Sequence, residues 1–367
     1  MFYIRNCCIS YQLSTKMLNF FIRRLLYGIA VITLVVLIIT SIIYLAPVDP
    51  TRLTFGQRSD NATVQAKKRE LGLDQPLYVQ LGYYLNDLSP LSIYGNSAEN
   101  KAKYGWFRLF SVGDKALVLK FPYLRESYQS GRKVSDILAA AIPQTAILAL
   151  AAMVIATILG IFLGVVAALK PNSWFDTTSI VASVAGYSLP SYIVAMMLAL
   201  IFGYWLSDWT GLNIQGSLFE LNDFGDEQTV WKNLILPAVA LGIRPVALIT
   251  QLTRSTMLDI LTMDYIRTAK AKGLGKWSVI LKHALRNALN PVTTAISGWF
   301  AGLLAGAFFV ESVFTYNGLG QATVTALLNF DIPVVLGCVL FTALVFVVMN
   351  ILVDMLYAVL DPRIRLS

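Results

Sequence analysis

Five stretches of this 367-residue chain carry no charged side chain: Leu25–Val48, Ile137–Leu169, Thr177–Ser207, Asn287–Val310 and Ile332–Val353. Each exceeds the roughly 20 apolar residues that a helix needs to cross the hydrocarbon core of a bilayer. A sixth stretch, Asn233–Thr253, has the length but contains Arg244. The pattern predicts an all-α integral membrane protein with six transmembrane helices. Composition agrees: 56% of the residues are hydrophobic and 14% charged, where soluble domains carry about a quarter charged residues.

The basic residues orient the spans. Arg5, Lys16, Arg23 and Arg24 precede the first one, and seven Lys and Arg occupy Arg254–Arg286 against Asp259 and Asp264. Arg363 and Arg365 close the tail. Ser207–Lys232 is acidic instead, through Asp208, Glu220, Asp223, Asp226 and Glu227. Short Lys/Arg-rich loops stay cytoplasmic, so both termini (residues 1–24 at the start) and the basic loop 254–290 are expected inside. Residues 49–136 then lie outside, since long segments cross largely regardless of their charge. Residues 1–16 read as an upstream extension or a misassigned start, because Met17 opens the natural first-span sequence "MLNFFIRRLL".

Several functions are disfavoured. The net charge is +8, yet no basic face alternates with stacking aromatics, which argues against nucleic-acid binding. Cys7, Cys8 and Cys338 lack metal spacing, and His283 is the one histidine, so zinc sites and histidine-based triads have no ligand set. No G-x4-G-K-[ST] occurs, so the chain is not expected to bind ATP, and no cofactor or metal is expected.

The outer segment reads as two short helices split by Gly72 and Pro76, with Asn61 as a cap. Tyr78, Leu81, Tyr84 and Leu85 form an apolar stripe for the membrane surface or the spans. Lys101–Arg132 is mixed and turn-rich, a small cap rather than a domain. The remaining core, 137–367, holds five of the spans.

The densest basic patch is "DYIRTAKAKGLGKWSVILKHALRNALNPV", Asp264–Val292. Good helix formers run to Lys272, Gly273 and Gly275 break the helix, and Trp277–Leu289 resumes it before Pro291. Ala269 gives the first helix a low profile and Tyr265 an aromatic anchor, a pairing suited to close approach by a partner. Topology and lipid headgroup contact are the plainer reading of the same charges.

This stretch resembles the cytoplasmic loop of ATP-binding-cassette importer permeases, written E-A-A-x3-G-x9-I-x-L-P, with the glycine at Gly273. Arg267 stands where the general pattern has Glu, and His283–Arg286 where it has I-x-L-P. Both departures resemble the dipeptide/oligopeptide/nickel branch. "RELGLDQPLYVQ" (Arg69–Gln80), "ESVFTYNGLG" (Glu311–Gly320, with Asn317 in place of Pro), "DIPVVLG" (Asp331–Gly337) and "NILVDMLYAVLDPRIR" (Asn350–Arg365) are similar to other motifs of that branch. The resemblance covers Met17 to the end of the chain.

It implies a type I importer fold in a bacterial inner membrane. It also implies a related permease partner, identical or not, two separate ATPase subunits that bind ATP, and a periplasmic or lipid-anchored solute-binding protein. Tyr265, Arg267, Thr268, Ala269, Lys272 and Gly273 are then the ATPase-coupling residues, and the chain is no enzyme itself. Relatives carry peptides, nickel chelates, glutathione or oligosaccharides.

Polar residues in the spans supply the candidate pathway: Ser188, Pro190, Arg244 and Gln251. Gly186, Ser188 and Pro190 suit a helix opened toward a cavity, and equally an ordinary Pro- and Gly-containing span. Arg244 either lines the pathway, where it meets a solute carboxylate, or snorkels or pairs with a polar neighbour beside the Pro245 kink. Gly298, Gly302 and Gly306 form a small-residue ridge for helix packing within the chain or across a dimer. Asn350 and Asp354 share a helix face suited to interhelical hydrogen bonds. An ion-coupled secondary transporter is the alternative, but it calls for mid-span acidic pairs and inverted repeats, neither of which is visible.

Overall fold

The computed structural model of the chain describes residues 22–41, 65, 69, 74–95, 104–112, 115–222, 224–305 and 307–360. Cys7, Cys8, Met17, Asn61, Gly72, Gly306, Arg363 and Arg365 lie outside the described residues.

Helix α1 is described over Ile22–Ser41. Helix α2, Leu77–Leu88, starts after Pro76, as the outer-segment pattern predicts. Strands β1 (Leu91–Gly95), β2 (Phe107–Val112) and β3 (Lys115–Leu119) follow. Helices α3 (Val134–Leu169), α4 (Trp174–Ser188) and α5 (Ser191–Leu198) come next, α5 continuing as a π-helix over Ala199–Trp205. Strands β4 (Phe219–Leu221) and β5 (Glu227–Thr229) precede the long helix α6, Lys232–Leu261. The first residues of the expected loop 254–290 thus belong to α6. Helix α7 is Asp264–Ala271, and a π-helical stretch Val279–Leu285 runs into α8, Arg286–Ala305. Helices α9 (Phe308–Val313), α10 (Leu319–Leu328) and α11 (Ile332–Leu360) are the last described elements.

Two expectations change here. The chain is mostly helical but not all-α: β1, β3 and β2 form an antiparallel sheet in that order, and β4 pairs with β5. In β3, Ala116 and Val118 are buried while Lys115, Leu117 and Leu119 face out, a period-two pattern that marks a strand with one covered face. Second, α1, α3, α6 and α11 are long and apolar enough to cross a membrane, and α4 with α5 makes a fifth if that bent pair is one span. The third window, read either as an ordinary span or as a helix opened at Gly186, Ser188 and Pro190, is broken there, with α4 and α5 meeting at 105°. The fifth window is also interrupted: α8 stops at Ala305 and α9 starts at Phe308. Its early turns carry Asn287, Asn290, Thr293 and Thr294, too polar to match the other spans.

The chain divides into two compact units. In the unit formed by Ala30–Ala141 and Ala322–Ala343, Tyr84 of α2 packs on Val36, Ile332 and Leu336. The predicted apolar stripe is therefore split, since Tyr78 on the same helix is 76% exposed. Under the sheet, the Tyr94 ring stacks on those of Tyr104 and Trp106 at 4.4 and 5.4 Å. The Lys120 ammonium lies 5.2 Å from the Tyr94 ring centroid and donates to the Asp87 carbonyl. Burial pulls the Lys120 pKa down, and the Asp87 charge opposes it. Asp331 accepts from Ser127 Oγ and, at 3.0 Å, from the Tyr128 amide, so the end of the outer segment is fastened to the entrance of α11.

The other unit contains Ile142–Gln321 with both chain ends. Its core joins Leu148, Ala149, Ala152 and Ala156 of α3 to Leu236, Ala240, Leu241 and Ile249 of α6. Close approach there depends on glycine. A Cβ added to Gly160 would fall 2.7 Å from the Ile249 side chain, and one on Gly164 would fall 2.6 Å from that of Thr253. At Gly298 and Gly302, two members of the ridge expected to pack within the chain or across a dimer, an added Cβ meets nothing within 4 Å among the described residues. Small residues permit close packing, but the rotation of the helix decides whether a neighbour arrives. Asp354 does make an interhelical contact, an ion pair to Arg24 at 2.6 Å. Among the described residues, the Asn350 amide donates to Phe346 O one turn back on its own helix, at 2.7 Å, rather than across helices.

Candidate functional site

The basic loop folds as a hairpin of α7 and the helix that follows. Arg267 pairs with Asp264 at 3.5 Å, one turn apart. Beyond the last helical residues, the Gly273 amide donates to Lys270 O and the Leu274 amide to Ala269 O. These two bonds form a Schellman cap, which places its glycine in the left-handed region; Gly273 has φ +78°. Chain reversal at Gly273 thus follows directly from the sequence.

Ile266 and Ala269 turn inward onto Met257 of α6 and onto Val279, Ile280 and Ala284. This corrects the expected role of Ala269: only 6% exposed, it packs against its own chain. Tyr265 is 42% exposed, and its hydroxyl accepts from Asn287 Nδ2 at 2.9 Å, so it too is tied to its own hairpin. Arg267, Thr268, Lys270 and Lys272 face out. Trp277, 66% exposed, adds an apolar surface that the sequence reading did not single out. A basic rim with an exposed indole suits an acidic, partly apolar partner surface.

The break between α4 and α5 has a local cause. Pro190 has no N–H to continue the helix, and Leu189 before it is extended at φ −74°, ψ 133°. The last carbonyls of α4 therefore lose their helical donors. Arg244 Nε supplies one of them, donating to Tyr187 O at 3.4 Å, and its guanidinium lies 5.6 Å from the Tyr187 ring centroid. A cation at a helix C-terminus also suits the helix dipole. Beside it is a cavity of about 210 Å³ lined by Val184, Tyr187, Ser188, Ala247, Leu248 and Gln251. The structure thus brings Ser188 and Gln251 onto one cavity, with Arg244 next to it and Pro190 setting the bend.

Two polar knots escaped the sequence reading. Arg254 reaches Asp176 at the start of α4 through Nε, and through Nη2 at 2.7 Å; the Asn172 amide adds a bond at 2.8 Å. Glu311 of α9 accepts from Thr145 Oγ1 at 2.8 Å and from the Gly320 and Gln321 amides at 2.7 and 3.1 Å. Thr145 in turn accepts from the Leu319 amide at 2.7 Å. Burial pushes the Glu311 carboxyl above its ordinary pKa, while the bonds from Thr145, Gln321 and Gly320 oppose that. A Cβ on Gly320 would lie 2.5 Å from Phe308 Cα, so "ESVFTYNGLG" is a buried carboxylate with the close turn it holds. The Asn317 amide donates to Ser217 Oγ at 3.0 Å, a bond that proline at this position cannot make. Glu311 was visible as a motif letter, but the sequence gives no sign of its partner 166 residues away.

Comparison with known proteins places these features. A family model described as the inner membrane component of binding-protein-dependent transport systems matches residues 160–366, and the corresponding N-terminal model matches residues 17–103. The chain is 34% identical to the dipeptide transport system permease protein of Alkalihalophilus pseudofirmus, over 95% of this chain and 100% of that one. It is also 34% identical to the glutathione transport system permease protein of Escherichia coli strain K12, over 95% and 99%. Among solved structures, the MetNI methionine ABC transporter in an inward-facing conformation matches 62% of this chain and 97% of its own, with 14% identity and a TM-score of 0.49. An amino acid ABC transporter with histidines matches 63% and 95%, with 15% identity and a TM-score of 0.44. By the extent of the family match and the near end-to-end identity to its relatives, the chain belongs to the family of inner membrane components of binding-protein-dependent transport systems.

Proposed function

We propose that the chain is the membrane-spanning subunit of a type I ATP-binding-cassette importer, crossing the bilayer six times with both termini in the cytoplasm. It forms half of the translocation pathway and couples that pathway to separate ATPase subunits through the α7 hairpin. The observation that carries this reading is the build of the hairpin. Ile266 and Ala269 anchor it to α6, while Arg267, Thr268, Lys270 and Lys272 are exposed on its outer face. A force on that outer face reaches the spans through packed side chains, as coupling between two sites requires. The basic residues of the loop and of the segment before the first span support the orientation.

The partners under this reading are a second permease subunit, two ATPases that bind and hydrolyse ATP, and an external solute-binding protein. The cargo is a peptide or a related small solute, as the names of the dipeptide and glutathione relatives suggest. The chain contributes binding and motion rather than bond chemistry. Reconstitution tests this: proteoliposomes holding this chain, its permease partner and the ATPases should take up alanylalanine or glutathione only with ATP and the binding protein. Uptake by this chain alone, driven by an ion gradient, would overturn the proposal.

A further inference from the structure

We infer that the cavity at the α4–α5 break is a carboxylate site for the transported solute, with Arg244 as its cation and Ser188 and Gln251 as its polar flank; this rests on the transport function proposed above. Arg244 lies 12 residues into a helix of 30, so roughly 18 Å of helix separates it from the nearer end. A guanidinium at such a depth is costly and calls for a counter-charge. Among the described residues, no carboxylate lies within ion-pair distance of it. Its partners there are the Tyr187 carbonyl and ring. Arginine has five N–H donors, and the bond to Tyr187 uses one. At 3.4 Å that bond is long, and it can yield to a charged acceptor.

The geometry around the charge fits one end of a small solute. Arg244, Leu248 and Gln251 follow i, i+4, i+7 spacing on α6, and Val184, Tyr187 and Ser188 follow i, i+3, i+4 on α4. All except Arg244 line the cavity, and the guanidinium meets that lining at Tyr187, whose carbonyl and ring it contacts. The volume of about 210 Å³ is below the roughly 300–1,000 Å³ of pockets that enclose a whole drug-sized ligand. It suits a carboxylate with its adjoining residue. A planar carboxylate takes two parallel N–H bonds from guanidinium, a match that a neutral amide cannot reproduce. Ser188 and Gln251 offer donors and acceptors to the neighbouring peptide group. Because Pro190 withholds its N–H, the Gly186 carbonyl one turn back also lacks its usual helical donor.

The test uses the complete transporter in proteoliposomes, with Cys7, Cys8 and Cys338 replaced by Ser and Ser188→Cys as the only thiol of this chain. Labelling of that thiol by a methanethiosulfonate reagent is timed with alanylalanine or its C-terminal amide. A transported acid should slow labelling several-fold, its amide should not, and Arg244→Gln should remove the protection. In parallel, Arg244→Gln should lower uptake of the acid on the order of tenfold or more, the scale of a lost hydrogen bond to a charged group, with Arg244→Lys between the two. Equal protection by acid and amide, or protection that survives Arg244→Gln, overturns the carboxylate site. ATP-dependent uptake without any protection overturns the site while leaving the importer function standing. Absence of ATP-dependent uptake of both alanylalanine and glutathione by the transporter with its native Ser188 and cysteines overturns both.

Discussion

Arg254 near the end of α6 holds Asp176 at the start of α4 through both arms of its guanidinium, with Nη2 at 2.7 Å from Oδ2. The carboxylate is 2% exposed, so the pair is a buried clasp between two helices rather than a surface contact. Removing one partner of such a pair strands the other charge, at a cost of about 3 kcal/mol or more. Asp176→Asn should therefore lower the melting temperature of the detergent-solubilised protein clearly. Asp354→Asn is the contrasting case: it breaks the more exposed pair with Arg24, worth about 0–1 kcal/mol, and should shift melting little. Equal shifts from the two variants would mean that the burial of Asp176 has no energetic weight.

Glu311 gathers three donors, so Glu311→Ala should orphan the Gly320 and Gln321 amides along with the Thr145 hydroxyl, costing about 3 kcal/mol or more. Glu311→Gln should cost far less. Its oxygen still accepts both amides, and its NH2 can donate to Thr145 if that hydroxyl turns. The pH dependence has a definite sign. Burial raises the folded-state pKa, so the folded state keeps the proton to higher pH than the unfolded chain does. Stability from that proton is full below the ordinary carboxylate range and is lost as pH rises through the raised value. The melting temperature of the native protein relative to Glu311→Gln should thus fall as pH rises from about 4. A difference that grows with pH would contradict this.

Glycine substitutions separate used from unused ridges. Gly164→Ala places a methyl 2.6 Å from the Thr253 side chain and 2.7 Å from Thr250 O, so α3 and α6 must part, at a cost of about 1–3 kcal/mol. Gly298→Ala meets nothing within 4 Å among the described residues and should raise the melting of the isolated chain slightly, by the ~0.5–1 kcal/mol that separates alanine from glycine inside a helix. The reverse order in a thermal-shift measurement would show that the α8 ridge, not α3, carries the packing.

The α7 hairpin separates folding from docking. Arg267→Glu with Lys272→Glu reverses two outward charges and should abolish co-purification with the ATPase subunits without changing thermal melting. Ala269→Trp forces an indole into the space between α7 and Ile280; overpacking of this kind costs about 1–3 kcal/mol of stability and should lower the melting temperature. If Ala269→Trp melts normally but no longer co-purifies, Ala269 faces the partner after all.

What could be read along the chain was whatever has a local cause. Span-length apolar windows, the turn at Gly273 and the weakness at Leu189–Pro190 follow from hydropathy, from a left-handed φ and from a missing N–H, all set by residues within a turn or two. The β3 strand was not legible: "KALVL" has one polar residue, and period two appears only in its burial, with Ala116 and Val118 covered and Leu117 and Leu119 facing out. Tertiary structure decided the rest. Whether Gly160–Gly164 or Gly298–Gly302 meets a neighbour depends on how each helix is rotated about its axis, and both carry the same G-x3-G letters. Asp176 finds Arg254 78 residues away, and Thr145 finds Glu311 166 residues away. No periodicity connects such positions; only the packing of α3, α4, α6 and α9 brings them within reach. The same packing turned Ala269 inward and set Arg244 beside Tyr187, so burial by the folded chain, rather than residue type, separates residues that hold the structure from residues that remain free to act.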